Sequence, residues 1–303
     1  MADLRVKVAD MDLKNPVLTA SGTFGYGKEF AELYDLSVLG GIVVKGTSLE
    51  AKKGNPPPRV AETPAGMLNS VGLQNPGVDK VVEEFLPYLA QYDTTKIVNV
   101  CGDDLPGYAA VVSKLANNPQ VDALEINISC PNVQCGGLAF GTDSQMVFEI
   151  TKALRKLTKQ PLIIKLSPNV TDIAEIARAA EMAGADAVSL INTLLGMAID
   201  TKSRRPIMPN ITGGLSGPAV KPVALRMVWQ VAQAIKIPVI GLGGIMTGDD
   251  AVAFMLAGAT AVEIGSANFY DPLAAPKIIQ EIEEWLVIEG VKDVKEIIGG
   301  LII

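Results

Sequence analysis

The sequence predicts a closed (β/α)8 barrel, a TIM barrel, and three observations predict it. Eight short β-branched runs recur along the chain with helical segments between them. Four of the runs, I-V-V, I-V-N-V, L-I-I and V-I, are near-continuously apolar, as in parallel strands covered on both faces. The chain is 49% hydrophobic but only 5% aromatic, so Val, Ile, Leu and Ala must fill a large core. Strand alternating with helix eight times is the pattern of the barrel. A doubly wound open sheet is the alternative, but no G-x-G-x-x-G follows the first strand.

The strand runs are 16–24, 41–48, 96–102, 123–131, 161–168, 187–193, 238–245 and 261–268. Between them, 172–184 shows helical spacing, with Thr171 placed to cap it and Gly184 to end it. Segments 143–157 and 249–258 behave alike. Residues 4–13 form a short N-terminal hairpin that closes the barrel bottom. Two strand-to-helix connections are long, 49–75 and 194–217, and loops of that length in a compact fold are usually functional. With the 130–142 loop they lie on the carboxyl-end face, where barrels place their chemistry. No linker divides the chain, so residues 1–303 read as a single domain.

Net charge is −7 and the pI is about 4.8. A nucleic-acid or acidic-membrane surface needs a basic stripe, and none is visible. The pairs at 52–53 and 204–205 are isolated loop charges. The start, M-A-D-L-R-V-K-V, has no apolar h-region, and no apolar run approaches ~18 residues. A soluble, cytoplasmic protein is expected, with no nucleic-acid or membrane partner. Three cysteines, Cys101, Cys130 and Cys135, do not suggest a disulfide framework. A Cys130/Cys135 metal pair would need two more ligands in a chain without histidine, so no metal is expected.

The segment E-I-N-I-S-C-P-N-V-Q-C-G-G at 125–137 is the densest in chemistry. Asn127, Ser129, Cys130 and Asn132 crowd the end of the fourth strand. Asparagine amides both donate and accept, so two at a strand tip can read a planar, amide-rich ligand. Without histidine the ordinary neutral-pH base is missing, and the Cys130 thiol is the soft proton acceptor at hand. The plainer account is a small cysteine buried in a strand-to-loop corner. Other tips carry Ala20-Ser21-Gly22, Lys45-Gly46-Thr47, Asn99, Lys165 between Ile164 and Leu166, and Asn192-Thr193. Singly, a Lys is usually solvated and an Asn usually caps a turn. Two lysines and three asparagines on different strand ends point instead to a shared site. A lysine flanked by core residues is costly unless it meets an anion or an acceptor. Strand tips are poor in Asp and Glu, apart from Glu125 and Glu263.

Strands seven and eight end in Gly241-Leu242-Gly243-Gly244-Ile245 and Gly265-Ser266-Ala267-Asn268. Glycines let backbone N–H groups approach a phosphate, and barrels commonly bind phosphate after these two strands. Pyridoxal phosphate would use Lys45 or Lys165 as Schiff base. A sugar-phosphate isomerase would want a carboxylate base. Flavin mononucleotide fits better, because a cation near N1 and amides at the ring edge suit it.

The motifs T-A-S-G (19–22), V-K-G-T (44–47), N-S-V-G-L-Q-N-P-G (69–77), I-N-I-S-C-P-N (126–132), K-L-S-P-N (165–169), I-N-T (191–193), G-G-L-S-G (213–217), G-L-G-G-I (241–245) and E-I-G-S-A (263–267) together resemble dihydroorotate dehydrogenase. The resemblance runs from about Leu4 to the last helix and is most like the catalytic subunit of the NAD-dependent class 1B branch. It implies oxidation of (S)-dihydroorotate to orotate in pyrimidine (UMP) biosynthesis with FMN reduced. By position, Cys130 and Lys45 are implied as catalytic, with Cys130 the base at C5 while the C6 hydride goes to FMN. Implied FMN positions are Ser21, Lys45, Gly46, Asn99, Asn127, Lys165, Ile191, Gly217, Gly243, Gly244, Gly265 and Ser266. Implied substrate positions are Lys45, Asn69, Ser70, Val71, Gly72, Leu73, Asn127, Asn132, Asn192 and Thr193. The family commonly has His where this chain has Cys135, which makes Cys135 a rival base. Cys130 is preferred because it follows the strand directly.

The chain has three cysteines, too few for a four-Cys cluster, and no dinucleotide motif. Class 1B therefore implies a second subunit carrying FAD and a [2Fe–2S] cluster, with NAD as final acceptor. The implied assembly is a heterotetramer of two catalytic and two electron-transfer subunits. A fumarate-linked class 1A homodimer, a dihydropyrimidine dehydrogenase-like domain and a non-redox phosphate-binding lyase or isomerase are the alternatives.

Overall fold

The computed structural model describes residues 2–128, 134–135 and 138–303. Eight parallel strands close a barrel: β1 (Val17–Thr19), β2 (Gly41–Thr47), β3 (Thr95–Val100), β4 (Ala123–Asn127), β5 (Leu162–Lys165), β6 (Ala187–Leu190), β7 (Val239–Leu242) and β8 (Ala261–Ile264). Each pairs with the next in chain order, and β8 returns to β1. All residues of β4 to β8 are buried, as two-sided cover requires. The strands fall on the eight predicted runs but stop short of their carboxyl ends. There the chain leaves the ladder to form the rim, so residues predicted as strand become mouth residues.

Helices α1 (Leu105–Leu115), α2 (Ser144–Arg155), α3 (Ile173–Met182), α4 (Lys221–Ala232), α5 (Gly248–Leu256) and α6 (Ala274–Ile288) follow successive strands from β3 to β8. The β2-to-β3 crossover runs through Val78–Lys80, a π turn at Val81–Phe85, and Leu86–Leu89. The cap of α3 is Asp172, not Thr171: its Oδ1 accepts from Ala174 N at 2.9 Å and Glu175 N at 3.2 Å. The helix begins one residue later than its apolar spacing suggests, and a carboxylate at that place can receive two of the free N–H groups. Gly184 ends the segment with φ +97°. Thr247 and Asp250 cap α5 reciprocally.

The N-terminal hairpin pairs Val6–Val8 with Met11–Leu13. It buries Val6, Val8, Met11 and Leu13 and lines a cleft with Gly40, Thr94 and Asp122, at the strands' amino ends. The two long connections are not loops throughout. Val60–Thr63 and Gly66–Asn69 from the first, and Leu194–Met197 and Thr212–Ser216 from the second, join in one antiparallel sheet over the other end of the barrel. No helix among the described residues is long and apolar enough to cross a membrane.

Candidate active site

Successive strand residues alternate between the barrel's inside and outside. Glu125 and Asn127 share one parity on β4, and the register aligns Glu125 with Asn99 on β3 and Asn127 with Lys165 on β5. Lys165 is in turn level with Ser189 on β6. The result is a polar column inside the barrel that rises to the mouth. At its base, Glu125 accepts from Asn99 Nδ2 at 2.5 Å and Ser189 Oγ at 2.7 Å. Lys165 is 4% exposed, and its ammonium lies 2.8 Å from Glu263 Oε2 and 3.4 Å from Glu125 Oε1. The sequence anticipated that Lys165 would need an anion. Glu263 and Glu125 supply it from within the wall.

At the rim, the Asn127 side chain accepts from Asn192 Nδ2 at 3.1 Å, and its Nδ2 faces Cys101 Sγ at 3.8 Å. The Tyr108 hydroxyl of α1 donates to the Asn127 carbonyl at 2.5 Å, fixing the strand tip from behind. Asn192 Oδ1 accepts from Thr193 N at 2.8 Å, and Asn169 Nδ2 holds the Thr193 carbonyl at 3.1 Å. Gly214 permits this arrangement, since a Cβ there would lie 2.0 Å from Thr193 Oγ1. Gly214 pairs with Asn69 across the mouth sheet. Beyond Asn69, Ser70 Oγ accepts from Asn55 Nδ2 at 3.2 Å and Asn210 Nδ2 at 2.9 Å. The Val71 carbonyl accepts from Asn55 N, and the Leu73 carbonyl from Asn75 Nδ2 at 2.7 Å. Gly72 lies against the Asn55 side chain. Thus Asn69, Ser70, Val71, Gly72 and Leu73 form a braced ribbon whose first residue pairs with Gly214, the glycine packed on Thr193.

Lys45 extends from β2 beside Gly46, whose missing Cβ leaves room for Cys101 Sγ and Asn99 Oδ1. Burial lowers the Lys45 pKa below the ordinary lysine range; Cys101 opposes the shift and Arg59 adds to it. A buried cation of this kind favours an arriving anion.

The remaining tips form a cradle of small residues. Gly217, Gly243 and Gly244 have φ of +99°, +125° and +81°. A Cβ on Gly243 would lie 3.1 Å from Ile191 Cγ1, and one on Gly244 2.7 Å from the Gly217 carbonyl. The strand Thr212–Ser216 therefore links the Thr193 side of the mouth to the Gly244 side. Just past β8, Gly265 abuts Ala20 of the β1 tip, which brings Ser266 and Ser21, both buried, to the same rim. A cradle without side chains, a buried cation and amides at the rim fit a phosphorylated planar mononucleotide.

The structure therefore assembles the predicted Ser21, Lys45, Gly46, Asn69 to Leu73, Asn99, Asn127, Lys165, Ile191, Asn192, Thr193, Gly217, Gly243, Gly244, Gly265 and Ser266 around one barrel mouth. Cys130 and Asn132 lie outside the described residues. Sequence reasoning missed Asn55, Asn75, Tyr108, Asn169, Ser189 and Asn210, which brace the site. Of these only Asn75 and Asn169 sit inside motifs that could have flagged them. Among the described residues no cluster of His, Cys, Asp and Glu could hold a metal ion.

Residues 3–286 match the family model described as dihydroorotate dehydrogenase. The chain is 60% identical over 299 residues to a protein of Geobacter sulfurreducens named dihydroorotate dehydrogenase B (NAD(+)), catalytic subunit. It is 59% identical over 300 residues to the protein of that name from Geotalea uraniireducens, and 58% over 301 residues to that from Bacteroides thetaiotaomicron. In the three alignments 99% of this chain and 98–99% of the relative are covered.

Proposed function

Because the chain belongs to the dihydroorotate dehydrogenase family, we propose that it oxidises (S)-dihydroorotate to orotate in pyrimidine biosynthesis, as the catalytic subunit of an NAD-linked enzyme. The observation that carries this reading is the junction of two sets of residues at one barrel mouth. Lys45, Asn127, Asn192 and Thr193 offer a cation and amides to a small anionic amide. Gly217, Gly243, Gly244, Gly265 and Ser266 offer a phosphate cradle. Catalytic subunits of NAD-linked enzymes at 58–60% identity support the choice of branch.

FMN, when bound, supplies the hydride acceptor for C6 of the substrate. Lys45 draws in the substrate carboxylate, and that anion repays part of the desolvation of its buried ammonium. Asn127, Asn192 and the 69–73 ribbon orient the pyrimidine ring through its amides. Cys130 takes the C5 proton. A free thiol titrates near ~8.5, so its closeness to that proton must compensate for the small thiolate fraction at neutral pH.

A second subunit carrying FAD and a [2Fe–2S] cluster takes the electrons onward to NAD in a heterotetramer of two catalytic and two electron-transfer subunits. The absence of a dinucleotide motif and the presence of only three cysteines support that division. The cytoplasm is the proposed site of action.

The test is stopped-flow reduction of the bound flavin by dihydroorotate. Cys130→Ser slows it by about 10²–10⁴-fold with FMN retained, whereas an equally fast variant removes Cys130 as the base. Dihydrouracil reducing the flavin as well as dihydroorotate does would move the chain to the dihydropyrimidine branch. Fumarate reoxidising the isolated chain faster than NAD does with the partner present would move it to the fumarate-linked branch.

A further inference from the structure

Glu263 is fully buried in the barrel wall, and its Oε1 receives no hydrogen bond from any donor among the described residues. Its other oxygen accepts from Lys165 at 2.8 Å. Glu125 is far better supplied: Ser189 reaches Oε1, Asn99 reaches Oε2, and Lys165 lies 3.4 Å away. Two carboxyls thus share one ammonium inside an apolar shell of β-strands. Both ionised, they would bury a net negative charge, which the low-dielectric wall strongly disfavours. The donors around Glu125 favour its charged form, so the proton belongs on Glu263.

We propose that Glu263 is a neutral carboxylic acid beside an ionised Glu125, a positioning residue that keeps Lys165 matched by one anion rather than two. The directions of titration agree. Burial, and then the charge of Glu125, raise Glu263 well above the usual carboxylate range. Burial would also raise Glu125, but Lys165, Glu263, Ser189 and Asn99 together hold it below that range. The register neighbours of Glu263 on β7 and β1, Leu242 and Leu18, carry no charge. Among the described residues, Glu125 and Lys165 are the titrating groups that face it. The consequence for the site rests on the proposed function: with one anion beneath it, Lys165 projects positive potential toward the cofactor. An ionised Glu263 would cancel that potential.

The test is infrared spectroscopy of the purified chain in heavy water. The wild-type-minus-Glu263→Gln difference is expected to show one protonated-carboxyl carbonyl band that the variant lacks. Glu125→Gln, which still contains Glu263, is expected to lack the same band, because the surviving carboxyl gives up its proton beside Lys165. In the wild type the band disappears at alkaline pH, a measurement that needs no variant. A difference spectrum with carboxylate bands alone, or a band unchanged in Glu125→Gln, overturns the proposal. In the flavin-loaded protein, the reduction potential of bound FMN should bend downward where Glu263 ionises. That bend should be absent in Glu263→Gln; a bend retained there removes the positioning role. Failure to bind FMN would count against the proposed function and leave the infrared result standing.

Discussion

Replacing Gly244 by alanine isolates the geometry that makes the phosphate cradle. Its φ of +81° lies in the left-handed region, which costs an L-residue roughly 1–2 kcal/mol. The new Cβ would sit 2.7 Å from the Gly217 carbonyl oxygen, 2.9 Å from Lys221 Cβ and 3.0 Å from Lys221 N. Two of those atoms are backbone and cannot rotate away, so overpacking adds about 1–3 kcal/mol. Together the destabilisation is about 2–5 kcal/mol, a large share of a typical domain's ~5–15 kcal/mol. Gly265→Ala is the matched control. Its φ is not left-handed, and its Cβ would meet only Ala20 Cβ, at 3.6 Å, so the fold should change by less than ~0.5 kcal/mol. The assay is urea unfolding of the cofactor-free chain, paired with an FMN titration followed by flavin fluorescence. Gly244→Ala should lower the unfolding midpoint with an unchanged slope. Gly265→Ala should keep the midpoint and weaken FMN binding, by about tenfold for each 1.4 kcal/mol by which the added methyl disfavours the phosphate. A wild-type midpoint in Gly244→Ala would refute the close-approach argument. Normal FMN affinity in Gly265→Ala would take the β8 tip out of the cradle.

Asp172→Ala should destabilise the chain by about 1 kcal/mol in urea unfolding, whereas Thr171→Ala should leave it within ~0.5 kcal/mol, because Asp172 alone caps α3. Tyr108→Phe should cost about 1–2 kcal/mol, since it leaves the Asn127 carbonyl without that buried donor; an equally stable variant would show the bond to be dispensable. Lys45→Met should stabilise the ligand-free chain by about 1 kcal/mol while abolishing orotate binding in calorimetry. The sign follows from the Lys45 pKa, which burial lowers: the unfolded chain binds that proton more tightly. The penalty is therefore full below the depressed pKa and fades as pH rises toward the ordinary lysine value near ~10.4. A wild-type–variant difference that grew with pH would contradict the burial of that ammonium.

The barrel was legible because parallel strands covered on both faces leave an unmistakable record: short apolar runs at even spacing, separated by helical periods. The ends of those runs were not legible, because residues such as Ser21 and Ser266 are as small as many of the strand residues they follow. The mouth sheet was not legible either. Strands Gly66–Asn69 and Thr212–Ser216 pair across more than a hundred residues, and both are rich in glycine and short in apolar alternation. Their pairing depends on close approach, as where a Cβ on Gly66 would lie 2.0 Å from the Ser216 carbonyl oxygen, and sequence spacing carries no trace of that. The bracing asparagines Asn55 and Asn210 are invisible for the same reason. Each looks like an ordinary loop residue until Ser70 lies between them.

Lys165 shows where such reasoning stops. A lysine between Ile164 and Leu166 must meet an acceptor, and that much follows from local sequence. Which acceptor it meets depends on strand neighbours 40 and 98 residues away. Glu125 and Glu263 lie within strands β4 and β8 rather than at their tips. Inside a closed barrel, however, an inward residue one layer down is in direct contact with the mouth layer. An ammonium has three donors, so meeting the wall acids does not remove Lys165 from the ligand above. It makes the charge offered to that ligand depend on how many protons the wall holds. The number of charges beneath the cofactor is thus set by the balance between Glu263, with its one ammonium contact, and Glu125, with its several donors. A change at Asn99 or Ser189, neither of which holds Lys165 in place, should therefore shift the proton toward Glu125 and alter the site from below.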